Sequence, residues 1–460
     1  MKIPSIITNK TIDLLSGLAN NSDSIMPMTV KDTISNCAIV ETYKKNGGKD
    51  DARERAIEEF GTGAVWLFGI PLIKKLIDVT VYPLLKLNPN FDIRLLKNKA
   101  NLDNVTQNAN TALKNSPNNK VLKEAANTLN SLDLKNSVLT KFKNKDLYKG
   151  LFIGKFALST ALSAFALTKI IKYKQKTTQR RIEKEIGIKQ QDDKKTRAIV
   201  DKSVKKSNVY NIFTGNSDKK LSFKGGLDLF MYNNIANTSI LDGVITATRL
   251  KEARKGEKKE VALKEAFQIF FIYAIAKPTQ LFFEKIGRRI NMPIEMDPKV
   301  LFSKNVKQEV RNASELIKNE GLDNLSQKEL LTKIYQTAKE NIDNPLLDIL
   351  NKNGNVSITD KNGSKAFDYL KTINEKDLKK AIGNILSLNE HIDSNLKGIK
   401  AYKIFSIFAN IAIGALAMGV LQPMVNIGMR KLLNNGDNRN PAIVAQEKEL
   451  QFKAQQSKLQ

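Results

Sequence analysis

The chain is predicted to be all-α: a polytopic helical membrane protein made of two duplicated halves in parallel-repeat arrangement, with polar helical inserts. Three observations predict it. Ile404 to Met429 is an uncharged run flanked by Lys400 and Lys403 before it and by Arg430 and Lys431 after it. At about 1.5 Å per helical residue its length is about 39 Å, where a bilayer core needs about 20 residues. Elsewhere apolar residues recur at helical spacing, and residues 33–61 align without a gap on residues 239–267.

Composition bounds the function. The chain has 460 residues, 41% of them apolar, and a net charge of +28. That apolar share fills a core but is low for a protein lying mostly in lipid, so long polar regions must stand outside any membrane. The positive surplus favours an anionic partner: anionic lipid first, with nucleic acid disfavoured. Cys37 and His391 are the sole residues of their kinds, which excludes an intrachain disulfide and a Cys/His zinc site. A histidine-based catalytic set would rest on His391, which sits in a polar, helix-ending context and reads as a solvated loop residue. The stretch MKIPSIITNKTIDLLSGL lacks a continuous apolar core and is not read as a cleavable signal.

In chain order, residues 1–24 are a weakly apolar lead. The first repeat covers 25–172. It opens with an amphipathic helix over 25–45, carrying Val30, Ile34, Cys37 and Ala38, which Asn46-Gly47-Gly48 stops. A charged helical turn, 51–59, leads into the apolar segment 60–87, where Pro71 and Pro83 are expected to kink or break the helix. The polar insert 88–147 follows, helical around 121–139. The apolar helix 148–172 carries Lys155 and Lys169 near its ends, placed to snorkel. Residues 173–226 are a linker. From Lys172 to Lys206 the chain is strongly basic and reads as a solvated helix hugging a surface, and Gly225-Gly226 marks a break.

The second repeat covers 227–432. It has an amphipathic helix with Asp242 inside it, the apolar segment 263–287 broken at Pro278, a polar insert over 292–398, and the apolar helix 402–430. The insert contains a capping box, Ser326 to Glu329, and a turn-rich stretch, 353–363, that reads as a small hairpin. Pro423 places a bend or an end of the last apolar helix near Gln422. Residues 433–460 form a polar tail, a short helix or disordered.

The duplication rests on matched residues. At an offset of 206, Ile34/Ile240, Ile39/Ile245, Thr42/Thr248, Lys45/Lys251, Glu54/Glu260 and Glu59/Glu265 are identical. At an offset of 254, Tyr148/Tyr402, Ile153/Ile407, Ala161/Ala415 and Leu167/Leu421 match. Two crossings per half give parallel repeats; a third, by the amphipathic helix, would give inverted ones, and Lys31, Asp32 and Glu41 argue against it. The basic run after 148–172 places that end in the cytoplasm, so four spans leave both termini cytoplasmic and both inserts outside. A rival topology makes 60–87 and 263–287 re-entrant or interfacial, so that two helices cross. The expected location is a bacterial cytoplasmic membrane, with the lipid bilayer as partner and a homo-oligomer allowed by Gly150/Gly154, Ala157/Ala161, Ser159/Ser163 and Ala415/Gly419, whose spacing permits close helix approach.

Candidate intramembrane polar and packing residues are Asn410, Gln422, Asn426, Glu59, Glu265 and Asp242. Gln422 and Asn426 share a helix face; such amides line a substrate path or, more commonly, bond between helices. Glu59 and Glu265 occupy matching positions at the start of an apolar segment, where the helix dipole favours a carboxylate. Asp242 is expected to pair with Arg249 or Arg254, since an unpaired buried acid is costly. The chain has no phosphate loop, HExxH, CxxC or EF-hand spacing, so no catalytic residue, metal or cofactor is assigned and the expected role is non-enzymatic: a membrane scaffold or transport-type bundle. The alternative is a soluble basic helical protein that binds nucleic acid or a partner protein. For that, Phe213, Phe223, Phe230 and Tyr232 supply aromatic residues but no recognised pattern.

Overall fold

A computed structural model describes residues 9–19, 25–186, 231–232, 234–254, 256–361, 364–433 and 436–459. They are mostly helical, as an all-α chain should be, with one two-stranded sheet among them. The chain divides into two compact units that cut across the sequence halves. The first comprises Met1–Val30, Lys75–Gly154 and Tyr273–Ile413; the second comprises Lys31–Lys74, Lys155–Ile272 and Gly414–Gln460. Each of the four apolar segments contains one of these passages from unit to unit.

The first unit holds a conventional apolar core. From the first insert come α5 (Lys99–Asn115) and α6 (Lys120–Asn130). From the second come α12 (Val306–Asn319), α13 (Gln327–Glu340), α14 (Pro345–Lys352) and the first part of α15 (Glu375–Leu416). α5 packs on both α6 and α13. Val105, Leu122, Leu330, Ile334, Leu347 and Ile385 are buried in one continuous cluster, so the two inserts fold as one body. Leu15 of α1 (Asn9–Ala19) joins that cluster, and the Ser16 hydroxyl donates to Asp297 Oδ2 at 3.0 Å.

Local signals explain the helix starts. Asn119 accepts from the Val121 and Leu122 amides, and Asn344 from that of Leu346. The Ser326–Glu329 capping box is formed in both directions. The hairpin pairs β1 (Ile358–Lys361) antiparallel with β2 (Ser364–Phe367). His391 departs from expectation: it lies inside α15 and is half-buried, because that helix runs on to a kink at Asn395 instead of ending at the polar stretch.

The second unit is built from α2 (Ile25–Gly47, from Lys31 on), α3 (Lys49–Ala64), the end of α7 (Asn144–Ile186), α8 (Asn234–Glu252), α9 (Lys258–Ala274), α16 (Gln422–Leu433) and α17 (Pro441–Leu459). Gly48, at φ 92°, turns the chain between α2 and α3 in a conformation that suits glycine.

The prolines meet their helices in different ways, and α4 (Ile70–Leu84) ends one residue after Pro83. A π-helical turn, Val65–Gly69, precedes Pro71 by two residues, and α4 then continues through it. The same spacing recurs where a π turn, Ala417–Leu421, precedes Pro423, so the helix passes Gln422 and reaches Leu433. A proline cannot donate to the carbonyl four residues back and its ring crowds that carbonyl. The wider turn makes room for the ring without ending the helix. Pro278 does interrupt: α9 ends at Ala274 and α10 (Ala276–Arg289) begins two residues later.

One further expectation is corrected. The basic stretch after residue 172 is not a free solvated helix: through Ile186 it continues α7, and Lys174, Thr178 and Ile182 are buried on one face. From 187 onward, with Gly225-Gly226, Phe213, Phe223 and Phe230, it lies outside the described residues. The polar tail contains α17, whose Ile443 and Leu450 pack with Ile182. Gly150 and Gly154 stand in open space, where an added Cβ would meet nothing within 4 Å, so they form no seam within the chain.

Candidate functional site

α3 places an unbroken charged stripe on one face. Asp51, Glu54, Arg55, Glu58, Glu59 and Thr62 fall at i, i+3, i+4, i+7, i+8 and i+11, and all six are buried. α9 and the residue before it supply a matching stripe: Glu257, Glu260, Lys264, Glu265 and Gln268, each 206 positions after Asp51, Glu54, Glu58, Glu59 and Thr62. Lys174, Arg249, Arg254 and Arg430 come from α7, α8, the loop after it and α16.

These groups form one network inside the second unit. Arg55 and Arg430 both bind Glu260, the latter through Nε at 2.8 Å and Nη2 at 2.7 Å. Arg430 also forks onto Asp51. Lys174 Nζ lies 2.9 Å from Glu58 Oε2, and Lys264 Nζ lies 3.2 Å from Glu58 Oε1 and also binds Glu59. Arg254 donates to Glu54 at 2.5 Å and to Glu257 at 2.9 Å. Asn440, just before α17, caps the remaining face of Glu257 at 2.7 Å. Tyr43 is stacked by two guanidinium groups, those of Arg55 and Arg430.

Burial alone would raise each carboxyl, and the outcome depends on the neighbours. At Glu54 burial wins over Lys174 and Arg254, and the pKa is raised. At Glu58 burial is outweighed by Lys174, Lys264, Arg55 and Arg249, which hold it well below the carboxylate range. At Glu257 burial is again outweighed, by Lys174, Arg254 and Asn440.

Of the residues singled out in the sequence, Glu59 and Glu265 meet here around Arg249, which binds Glu265 and lies 4.0 Å from Glu59. Arg249 also donates to Thr62 at 3.1 Å and to its counterpart Gln268 at 3.4 Å. Arg249 and Arg254, the expected partners of Asp242, are thus held by glutamates, Thr62, Gln268 and Gln446; Asp242 is half-buried on α8.

Gln422 and Asn426 are buried on the face of α16 toward α2, where Asn426 Nδ2 donates to the Tyr43 hydroxyl at 3.2 Å. Asn410 belongs to the other unit and lines a small cavity with Glu284, Lys403 and Ser406. Sequence reasoning missed Asp51, Arg55, Glu58, Lys174, Glu257, Lys264 and Arg430 as site residues. The readable signal was the i, i+3, i+4, i+7 spacing of charges on α3, repeated on α9.

Helix pairing follows the same pattern. α2 runs beside α16 in the same direction: Ser35 and Ala38 meet Gly419, Tyr43 meets Asn426, and Asp51 beyond it meets Arg430. α8 runs beside α7 likewise: Leu241 and Ile245 share a cluster with Leu167 and Ile171, and Gln175 donates to the Glu252 carbonyl at 2.9 Å. Each amphipathic helix therefore packs on the long helix of the other sequence half.

Among the described residues two helices, Asn144–Glu185 and Glu375–Leu432, are long and apolar enough to cross a membrane, and 22% and 39% of their most apolar stretches are buried. Compared with protein-family models, with curated proteins and with solved structures, the chain matches none.

Proposed function

We propose that the chain is a non-enzymatic integral membrane protein, a scaffold whose apolar helices hold the folded insert core at a lipid bilayer. One observation carries this reading: the long helices bury polar side chains while turning many large apolar ones outward. On α7, Ser159, Thr160 and Ser163 are buried while Leu158, Leu162 and Phe165 are exposed. From α15 into α16, Ser406, Asn410, Gln422 and Asn426 are buried while Phe405, Phe408, Leu416, Leu421 and Met424 are exposed. On the segment ending in α4, Phe68, Leu72, Leu76, Val79 and Leu84 are exposed. In water the hydrophobic effect would select the opposite arrangement; in lipid, apolar outside and hydrogen-bonded polar inside is the favoured one. The two halves are read as a duplication, supported by the matched stripes of α3 and α9 and by the paired hydroxyls of Thr42 and Thr248, which donate to the carbonyls of Ala38 and Val244, all 206 positions apart.

The insert core refines the topology. Residues 88–147 and 292–398 share one core, so they share a membrane face. A chain crossing only at α7 and α15–α16 would separate them. A further crossing between them is required, and α9–α10 supplies it, with Phe270, Leu281 and Phe282 exposed. Leu15 lies in the same core, so the crossing at residues 60–87 needs a companion before it, which is α2. Among the described residues α2 thus joins the four apolar segments as a crossing, and residues 9–19 join the side of the inserts. The basic end of α7 stays cytoplasmic by the charge rule, in a bacterial cytoplasmic membrane.

A second reading, a transport bundle, is favoured by Ser35 Oγ, Gln422 Nε2 and Asn426 Oδ1. These buried atoms along the α2–α16 contact have no hydrogen-bond partner among the described residues, and unsatisfied polar groups at such depth suit a polar path.

Membrane extraction tests the proposal. The full chain is expected to stay with the membrane pellet through high salt and alkaline carbonate and to be released by detergent. Recovery in the salt wash would overturn it in favour of a peripheral basic protein, and a chain in the first supernatant that shifts nucleic acid would establish the soluble alternative.

A further inference from the structure

The loop between α6 and α7 is ordered yet turns its apolar side chains outward. Leu134 is 61% exposed, Phe142 51%, and Val138 and Leu139 are exposed beside them. Four large apolar side chains on one short loop are an anomaly in water. The loop is not loose. Lys135 and Lys143 form an antiparallel bridge, and the Asn136 amide donates to the Phe142 carbonyl at 2.9 Å. The buried Asn136 side chain locks the tip: its Oδ1 accepts from the Val138 and Leu139 amides at 2.9 and 3.1 Å. Its Nδ2 donates to Asn144 Oδ1 at 2.6 Å and to the Leu85 carbonyl at 2.9 Å.

That last bond fixes where the loop sits. Leu85 is the residue after α4, whose final Leu84 is 72% exposed, and Asn144 is the first residue of α7. Both flanking helices belong to apolar segments, so the loop is clasped to the point where two lipid-facing helices emerge. Around the apolar tips stand Lys135, Lys141 and Lys143, all exposed, with Lys145 held to Asp133. Apolar tips ringed by lysine match a bilayer surface, where acyl chains lie beneath phosphate headgroups.

We propose that residues 131–143 form a lipid-docking loop that seats Leu134, Val138, Leu139 and Phe142 in the acyl boundary of an anionic leaflet, with Lys135, Lys141 and Lys143 on its headgroups. This rests on the membrane reading above. It assigns the loop a partner and fixes the depth at which the insert core stands. Both the continuity with the exposed faces of α4 and α7 and the sign of the charge select a lipid surface over a protein partner.

The test uses the full chain with Cys37→Ser, reconstituted in phosphatidylcholine vesicles with and without phosphatidylglycerol. An environment-sensitive fluorophore is placed at Phe142→Cys, at Leu416→Cys on a long apolar helix, or at Lys328→Cys on the polar insert. All three positions are exposed, so labelling leaves the fold intact. A lipid-borne quencher near the headgroup is expected to dim the label at 142 about threefold more than that at 328. Omitting phosphatidylglycerol, or adding Lys135→Gln, Lys141→Gln and Lys143→Gln, is expected to reduce that difference. If aqueous iodide quenches the label at 142 as strongly as that at 328 while 416 stays lipid-quenched, the loop proposal fails and the membrane reading stands. If 416 also reports water, both fail.

Discussion

The Thr42 hydroxyl lies 3.4 Å from the carbonyl of Gly419, which belongs to the π turn just before Pro423. Thr42 also donates to Ala38 at 2.8 Å, so its contact with Gly419 is shared. A proline inside an apolar helix frees a backbone acceptor, and in lipid that acceptor needs another donor. The approach is possible because residue 419 has no side chain: a Cβ there would stand 2.6 Å from Ala38 Cβ and 3.1 Å from the Ser35 carbonyl.

Gly419→Ala is therefore expected to destabilise the detergent-solubilised protein, and Gly419→Leu more so, in the range of about 1–3 kcal/mol for overpacking. Gly154→Ala, with open space around it, should leave the melting temperature unchanged or raise it slightly through helix propensity. Thermal melts of the three variants check the order. Equal effects at 419 and 154 would contradict the α2–α16 contact.

The charge network makes a second prediction. Arg430 and Asp51 are both buried and bound to one another. Removing one partner strands a buried charge, so Arg430→Met and Asp51→Asn are each expected to cost about 3–5 kcal/mol. Because Glu260 also loses a partner in Arg430→Met, that variant should be the worse of the two. The double variant should cost less than the sum. A double-mutant cycle by thermal or denaturant unfolding measures this, and strict additivity would deny the pairing.

Acid should loosen the same unit. Glu58 and Glu257 have folded pKa values held below the ordinary range by their cationic neighbours, while Glu54 is raised by burial. For a depressed carboxyl the unfolded chain binds protons first as pH falls, so its stabilisation is present above an unfolded pKa of about 4.3 and is lost progressively below it. Glu54 has the opposite sign and offsets part of this, its own contribution being favourable on the acid side. Across the unit three lowered carboxyls, Glu58, Glu257 and Asp437, stand against two raised ones, Glu54 and Asp50, so the melting temperature is expected to be steady near neutrality and to fall below about pH 4. Glu257→Gln should flatten that acid limb, and a melting temperature that rises on acidification would oppose this assignment.

How much of this was legible in the sequence follows from what hydropathy can register. Apolar segments are long and local, so Ile404–Met429 and its three companions were readable, as were the Ser326 capping box and the 353–363 turn, which depend on neighbours in sequence. The buried stripe of α3 was not read as a site. Asp51, Glu54, Arg55 and Glu58 present the same pattern whether a helix face meets water or its opposite charges, and the partners Glu260, Lys264 and Arg430 stand about 200 residues or more away in sequence. The packing of α2 along α16 was not legible either, because Lys31, Asp32 and Glu41 mark α2 as an ordinary charged helix. The continuing helix at Pro423 needed the π turn, which leaves no sequence mark beyond the proline itself.

The union of the inserts gives the last prediction. α5 and α13 come from sequence halves more than 200 residues apart and share one core, in which Leu122 and Ile334 are buried. Truncating a buried leucine or isoleucine costs about 2–5 kcal/mol. If the core is one cooperative body, Leu122→Ala should expose sites in residues 292–398 to protease, and Ile334→Ala should expose sites in residues 88–147, with the same shift in each unfolding midpoint for both halves. If the inserts fold separately, each substitution would sensitise only its own segment. The reciprocal pattern is expected, since α5 contacts α13 directly and Asp92 joins the far insert by accepting from the Thr372 amide at 3.2 Å. Limited proteolysis of the full chain, with fragments identified by mass, distinguishes the two.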